Sequence, residues 1–194
     1  MGSYDGILVR DIIDIHWRQD RLPVIVDTTY GGGRFWPLEL HNKVVKCDLD
    51  PERAKTVRSS FTCLPFKNNS VDIIAYDPPH IPDVGSVRPK LMSEQYTIVW
   101  GADDITSIGE AFVSEAKRVL RLDGFIICKI SDQIQSGKRR WQMYDFMKTC
   151  FAQGLTPCDI IIKVRKAAMP QPHEYQLHAR QRHSYFLVIK KGSC

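Results

Sequence analysis

The densest chemistry in this sequence lies in Asp77-Pro78-Pro79-His80, which follows directly on the apolar run Val71-Asp72-Ile73-Ile74-Ala75-Tyr76. A strand that stops in two prolines leaves backbone carbonyls unpaired at its end, because proline has no N–H and a fixed φ. One Asp77 oxygen and one proline carbonyl can together accept both hydrogens of a primary amino group and hold its nitrogen toward an electrophile. His80 adds a flat ring for stacking on a base. Taken alone, Asp-Pro-Pro is equally a turn with a helix-capping aspartate.

A second constellation begins at Asp27-Thr28-Thr29-Tyr30-Gly31-Gly32-Gly33, after the apolar residues 24–26. Glycine permits positive φ and lets a ligand approach the backbone closely, and this is the first β-α turn of an open sheet. Further on, Cys47-Asp48-Leu49-Asp50 closes the next apolar run and puts an acid where ribose hydroxyls would be bound. A carboxylate accepts two such hydroxyls, whereas it repels phosphate. A dehydrogenase-type dinucleotide site stays open on these residues. Its G-x-G-x-x-G spacing lapses after Gly33, however, where Arg34, Phe35 and Trp36 follow, and no Lys-Ser/Thr pair of a P-loop is present.

The third constellation is basic. The chain has 194 residues and a net charge of +5, yet residues 134–191 hold eleven Lys and Arg against three acids, which is +8 and leaves −3 for the rest. A polyanion-binding face would look like this, as would a solvated charged surface. Lys138-Arg139-Arg140-Trp141 is the clearest phosphate-binding candidate, with Trp141 available to stack; a solvated helix start with a core tryptophan is the other reading. Arg165-Lys166 and Arg180-Gln181-Arg182 flank a long polar stretch.

The elements that must position these residues alternate between short Val- and Ile-rich runs and helix-length segments, the pattern of β-α units on a parallel sheet. Periodicity predicts helices over 7–18, 51–59, 104–121 and 138–153, the second opened by Asp50 and Pro51, with Gly124 and Gly154 just past the last two. Strands are expected over 24–26, 43–47, 71–76, 125–130, 160–164 and 185–190. The last two are joined without a helical pattern, which predicts an antiparallel hairpin on a mixed sheet. Residues 81–103 and 166–183 are long irregular stretches of the kind that carry function or move.

Composition excludes several classes. With 43% hydrophobic and 25% charged residues the chain reads as globular rather than disordered or collagenous. It has no membrane-length apolar run, and its first ten residues lack a signal-peptide pattern, so a cytoplasmic protein is expected. Cys47, Cys63, Cys128, Cys150, Cys158 and Cys194 form no C-x-x-C pair, which predicts free thiols over a disulfide frame or zinc site. No single helix or strand face gathers His173, His178 and His183, so no metal site is expected.

On these residues the sequence resembles the class I S-adenosylmethionine-dependent methyltransferases, in particular those that methylate exocyclic amino groups of bases, adenine N6 or cytosine N4. Asp27 with Gly31 and Gly33 resembles the family's first motif, and Asp48 its ribose-binding acid. Leu64-Pro65-Phe66 ahead of Ser70-Val71-Asp72 is similar to its third-strand region, Asp77-Pro78-Pro79-His80 to its catalytic D-P-P-aromatic motif, and residues 183–188 to its closing strand. The resemblance spans residues 24–190. It implies a Rossmann-like α/β fold with a mixed central sheet, helices on both faces and a C-terminal antiparallel hairpin, as one methyltransferase domain over 1–194. It implies S-adenosyl-L-methionine as cofactor, held by Asp27, Thr29, Gly31, Gly33, Asp48 and Leu64. Catalysis falls to Asp77, Pro78, Pro79 and His80, by direct methyl transfer with no metal or covalent intermediate. Lys138, Arg139, Arg140, Trp141, Arg165, Lys166, Arg180 and Arg182 would then contact nucleic acid, DNA ahead of RNA.

The chain departs from the family pattern in three places. His80 stands where Tyr, Phe or Trp is usual. Phe61, Thr62 and Cys63 stand where an acid commonly contacts the cofactor's adenine. No separate target-recognition domain is present, so recognition falls to the two long stretches, to a partner protein or second copy, or to a substrate that needs little reading. Two alternatives remain: an amino methyltransferase of tRNA or rRNA bases, and an inactive cofactor-binding subunit of a methyltransferase complex.

Overall fold

Four apolar runs of the sequence are buried on both faces and form the middle of a sheet: β1 (Ile25–Asp27), β4 (Val71–Tyr76), β5 (Leu120–Ile130) and β9 (His183–Lys190). Successive side chains alternate between two cores, as the period of a strand requires. Ile74, Tyr76, Ile126, Cys128, Leu187 and Ile189 pack on one side, and Ile73, Ala75, Phe125, Ile127, Phe186 and Val188 on the other. The structure is a computed structural model, described here for residues 4–78, 102–135, 138–166, 178–179 and 181–194.

The remaining strands are β2 (Val44–Asp48), β3 (Val57–Arg58), the short pair β6 (Gln133–Gln135) and β7 (Lys138–Arg140), and β8 (Thr156–Val164). The main sheet has the order β3-β2-β1-β4-β5-β9-β8. Strands β3, β2, β1, β4 and β5 run parallel, and β9 is antiparallel to both β5 and β8. The mixed sheet and its closing hairpin are as the sequence predicts. Helix α1 (Tyr4–His16) covers one face through Val9, Ile12 and Ile13. Helices α2 (Ala102–Val119) and α3 (Gln142–Ala152) cover the other through Phe112, Val113, Ala116, Phe146 and Cys150.

Four expectations are corrected. Residues 51–59 make one turn, closed by Arg53 and Ala54 N–H on the Asp50 carbonyl, and then become β3. Thr56 N–H donates to the Lys46 carbonyl, and the β-branched Thr56 and Val57 suit an edge strand better than a helix. Lys138, Arg139 and Arg140 pair with Gln135, Ile134 and Gln133 as a hairpin, so α3 starts later, at Gln142. Three cations at the positive end of a helix would have been unfavourable. Helix α2 stops at Val119, and Gly124 lies within β5, where a Cβ would come 2.8 Å from the Asp72 carbonyl oxygen. Finally, Cys158 and Cys194 form a disulfide, because pairing of Thr156 with Lys190 brings the residues after β9 beside the start of β8. Cys47, Cys128 and Cys150 are buried free thiols and Cys63 an exposed one.

Candidate active site

Strands β2, β1, β4 and β5 all end on one edge of the sheet, and each delivers an acid there: Asp48, Asp27, Asp77 and Asp132. Asp27 is 2% exposed, beneath the glycine turn. Trp36 Nε1–H donates to its Oδ2 at 2.6 Å and Thr29 N–H to its Oδ1 at 2.9 Å. Burial raises its pKa to about 7; those two bonds oppose the rise, and the charges of Asp77 and Asp48 add to it.

The turn itself is fastened to β2. Tyr30 N–H donates to the Cys47 carbonyl at 3.0 Å and Gly31 N–H to Asp48 Oδ2 at 2.8 Å, while Asp48 Oδ1 accepts from Asp50 N–H at 3.0 Å. Gly33 has φ +69°, and a Cβ there would lie 2.6 Å from the Tyr30 hydroxyl, so the tyrosine ring requires glycine. At Gly32 a Cβ would meet no described atom within 4 Å, which leaves the crest of the turn open to a ligand. Each Asp48 oxygen takes one backbone N–H and keeps acceptor capacity, which is the chemistry a ribose diol needs.

Two threonines tie the glycine turn to β4. Thr28 donates to the Ala75 carbonyl from both its N–H and its hydroxyl, and Asp77 N–H donates to Thr29 Oγ1 at 2.8 Å. Tyr76 is buried and stacked on Phe112, 3.6 Å between ring centroids, which anchors the end of β4 immediately before Asp77. Asp77 Oδ2 accepts from Lys129 Nζ at 3.0 Å. Lys129 also lies 3.4 Å from Asp5 of α1, and Asp5 is bonded in turn to Lys163 of β8. Burial lowers the Lys129 pKa, but Asp77 and Asp5 outweigh it and the net effect is upward. Pro78 follows Asp77 at this edge; Pro79 and His80 lie outside the described residues.

Sequence reasoning missed Lys129, Asp5 and Lys163. The available signal was a lysine inside the run Phe125-Ile126-Ile127-Cys128-Lys129-Ile130, where an ammonium is costly unless it is paired. Asp132 was missed as well. It is buried, accepts from Met143 N–H at the start of α3 at 3.1 Å, and receives the Tyr185 hydroxyl at 3.4 Å.

The basic residues reach the same edge from the other end of the sheet. The β6-β7 hairpin follows β5 directly, with Lys138 and Arg140 exposed. Arg139 stands 5.5 Å from the Trp141 ring centroid and donates to the Ala179 carbonyl at 3.0 Å, and Trp141 is 58% exposed. Arg165 directly follows β8 and donates to the His183 carbonyl at 3.1 Å, with Lys166 and Arg182 exposed beside it. Antiparallel pairing of Val164 with His183 and of Ile130 with Tyr185 aligns these ends with the end of β5. Along the edge, Asp48 and the glycine turn therefore lie to one side of Asp77 and the basic residues to the other. Arg180 lies outside the described residues, and Leu64 is buried in the core under α2, its N–H donating to Glu115 Oε1. Among the described residues no His, Cys, Asp or Glu cluster could hold a metal ion.

No family model and no curated protein matches the chain. Solved structures do. A candidate methyltransferase from Bacillus halodurans C-125, BH2331, matches at TM-score 0.61 and 13% identity, over 97% of this chain and 100% of its own. An S-adenosylmethionine-dependent methyltransferase from Methanosarcina mazei matches at TM-score 0.54 and 13% identity, over 93% and 96%. The PvuII cytosine-N4-specific DNA methyltransferase matches at TM-score 0.49 and 13% identity, over 66% of this chain and 44% of its own, so the chain spans less than half of that protein. The first two show the fold, a Rossmann-like mixed sheet with helices on both faces and an antiparallel C-terminal hairpin.

Proposed function

We propose that the chain is an S-adenosylmethionine-dependent methyltransferase that acts on an exocyclic amino group of a nucleic-acid base, adenine N6 or cytosine N4 of DNA. The observation that carries this reading is the position of Asp77, between an acid-backed glycine turn and a basic, aromatic edge of the same sheet. The Asp48 carboxylate beside the glycine turn disfavours the pyrophosphate of a dinucleotide and suits a sulfonium cation. Asp48 would take the ribose hydroxyls, and the open backbone at Gly32 would let the cofactor approach. When bound, S-adenosylmethionine supplies an electrophilic methyl group.

Asp77 and the Pro78 carbonyl accept the two hydrogens of the amino group, so that its nitrogen lone pair is withdrawn less into the ring and turns toward the electrophile. Fixed geometry supplies much of the rest of the rate. In a duplex the base must leave the stack, at about a few kcal/mol, and His80 offers a stacking surface for it. Lys138, Arg140, Lys166 and Arg182 neutralise phosphates, and Arg180 joins them from its place in the sequence. The chain acts as one methyltransferase domain in the cytoplasm, and its target recognition comes from the stretches 81–103 and 166–183 or from a partner. Among the described residues no helix is long and apolar enough to cross a membrane. The exposed Trp141 beside Arg139 favours a second reading, an unpaired RNA strand as acceptor, because stacking on an exposed ring needs an unpaired base.

Labelled methyl transfer onto unmethylated DNA and onto bulk RNA, followed by mass analysis of the nucleosides, tests both. N6-methyladenine or N4-methylcytosine in DNA is the expected result. Labelling of RNA alone selects the second reading, and labelling of neither despite cofactor binding points to an inactive subunit. Asp48→Ala is expected to weaken cofactor affinity by about 10–100-fold, the loss of one to two charged hydrogen bonds. Calorimetry reads that directly, and an unchanged affinity removes Asp48 from the site.

A further inference from the structure

We propose that Lys129 is a positioning residue for Asp77, an inference that rests on the methyltransferase reading and extends it to a residue outside the motif. The preceding four residues of β5, from Phe125 to Cys128, are fully buried, and the Lys129 side chain is 20% exposed. An ammonium in that setting costs several kcal/mol unless it is paired. It is paired twice, at 3.0 Å to Asp77 and 3.4 Å to Asp5, and Lys163 completes an alternating row of two cations and two anions drawn from β4, β5, α1 and β8.

Asp5 already has Lys163, and Asp77 sits where β4 meets the sheet edge, so the row is built to carry charge to Asp77 rather than merely to satisfy Lys129. The groups that act on Asp77 explain the need. Asp27 interacts electrostatically with it, and its anionic form opposes a second negative charge there; Thr29 holds its N–H, and Lys129 is a cation that opposes Asp27. A protonated Asp77 would donate a hydrogen bond and could no longer accept one from the substrate amine. Lys129 keeps the carboxylate ionised and fixes Oδ2, while the row behind it fixes Lys129. Through Asp5, the N-terminal turn of α1 becomes part of the active-site support.

The test compares wild type with K129M and K129R in steady-state methyl transfer across pH. K129M is expected to lower kcat by about 10–100-fold and to move the acid limb of the profile upward by about 1–3 pH units, the size of effect a neighbouring cation has on a carboxylate. KM for the cofactor should stay within about twofold, since the cofactor side does not touch Lys129, and K129R should recover most of the rate. Wild-type kcat and acid limb in K129M overturn the proposal. So does a loss of rate with no movement of the limb and no rescue by arginine, which is the signature of a purely structural lysine. If wild type transfers no methyl group to any base, the functional reading fails, and the Asp77 carboxyl-carbon titration by NMR decides the pairing role. A higher midpoint in K129M supports it and coincident midpoints overturn it; K129Q serves for both measurements if K129M does not fold.

Discussion

Asp77→Ala is expected to reduce methyl transfer by about 10³-fold or more while changing cofactor affinity by less than about threefold. The loss is large because alanine removes the acceptor that holds the reacting amine, whereas the remaining acceptor, a proline carbonyl, is a neutral dipole. The affinity is spared because the glycine turn is held from β2, by Cys47 and Asp48, and Asp27 and Thr29 hold its base. Residue 77 bonds the turn through its backbone N–H, which donates to Thr29 Oγ1, and alanine keeps that N–H. Single-turnover transfer at saturating cofactor, with calorimetric cofactor binding on the same preparation, separates the two effects. Retained transfer would show that the carboxylate does no chemistry. Loss of both together would mean that the variant disturbs the edge of the sheet, and Asp77→Asn, which keeps the shape and one acceptor, then tells charge from packing.

The parts of this site that the sequence announces are those whose cause is local. Residues 71–76 read as a strand because burial on both faces demands a nearly continuous apolar run, and Asp77 reads as chemistry because two prolines stop that strand. The glycine turn is legible for the same reason, since Gly33 answers to Tyr30 only three residues away. What was misread depends on partners distant in the chain. Asp50-Pro51 carries every local sign of a helix start, and only Lys46, ten residues before Thr56, draws that segment into a strand. Lys138-Arg139-Arg140 extends the helical period of Phe146 and Cys150 backward until Gln133 to Gln135 pair with it. The 158–194 disulfide follows from the register of two strands that no spacing of cysteines encodes. Lys129 is the instructive case. Strand periodicity reads it as one polar tooth in an apolar run, and its meaning lies in Asp77 and Asp5, which are 52 and 124 positions away.

Asp72 is a second charge inside an apolar strand, at the edge of the sheet opposite the site, and its removal should produce the largest loss of stability. Its carboxylate is 1% exposed and takes a bidentate pair from Arg21 at 2.6 and 2.7 Å, Val24 N–H at 2.8 Å, and Arg121 at 2.9 Å. It thereby joins the segment after α1, the entry to β1 and the start of β5 at one point on β4. Burial pushes its pKa up, but the bonds from Arg21, Val24 and Arg121 outweigh that and lower it from 3.8 to about 2. The fall corresponds to roughly 2 kcal/mol of stability. Because the folded value is depressed, that stability is present in full above about pH 4 and disappears as pH falls through about 2. Asp72→Asn should therefore cost about 2–3 kcal/mol at pH 7, below the 3–5 typical of breaking a buried pair, because both arginines are partly exposed and regain water. Urea midpoints measured from pH 7 down to pH 2.5 should converge for wild type and variant as Asp72 becomes protonated. Midpoints that stay a constant distance apart would mean that the asparagine costs packing rather than charge, and that the two arginines do not hold this edge of the sheet.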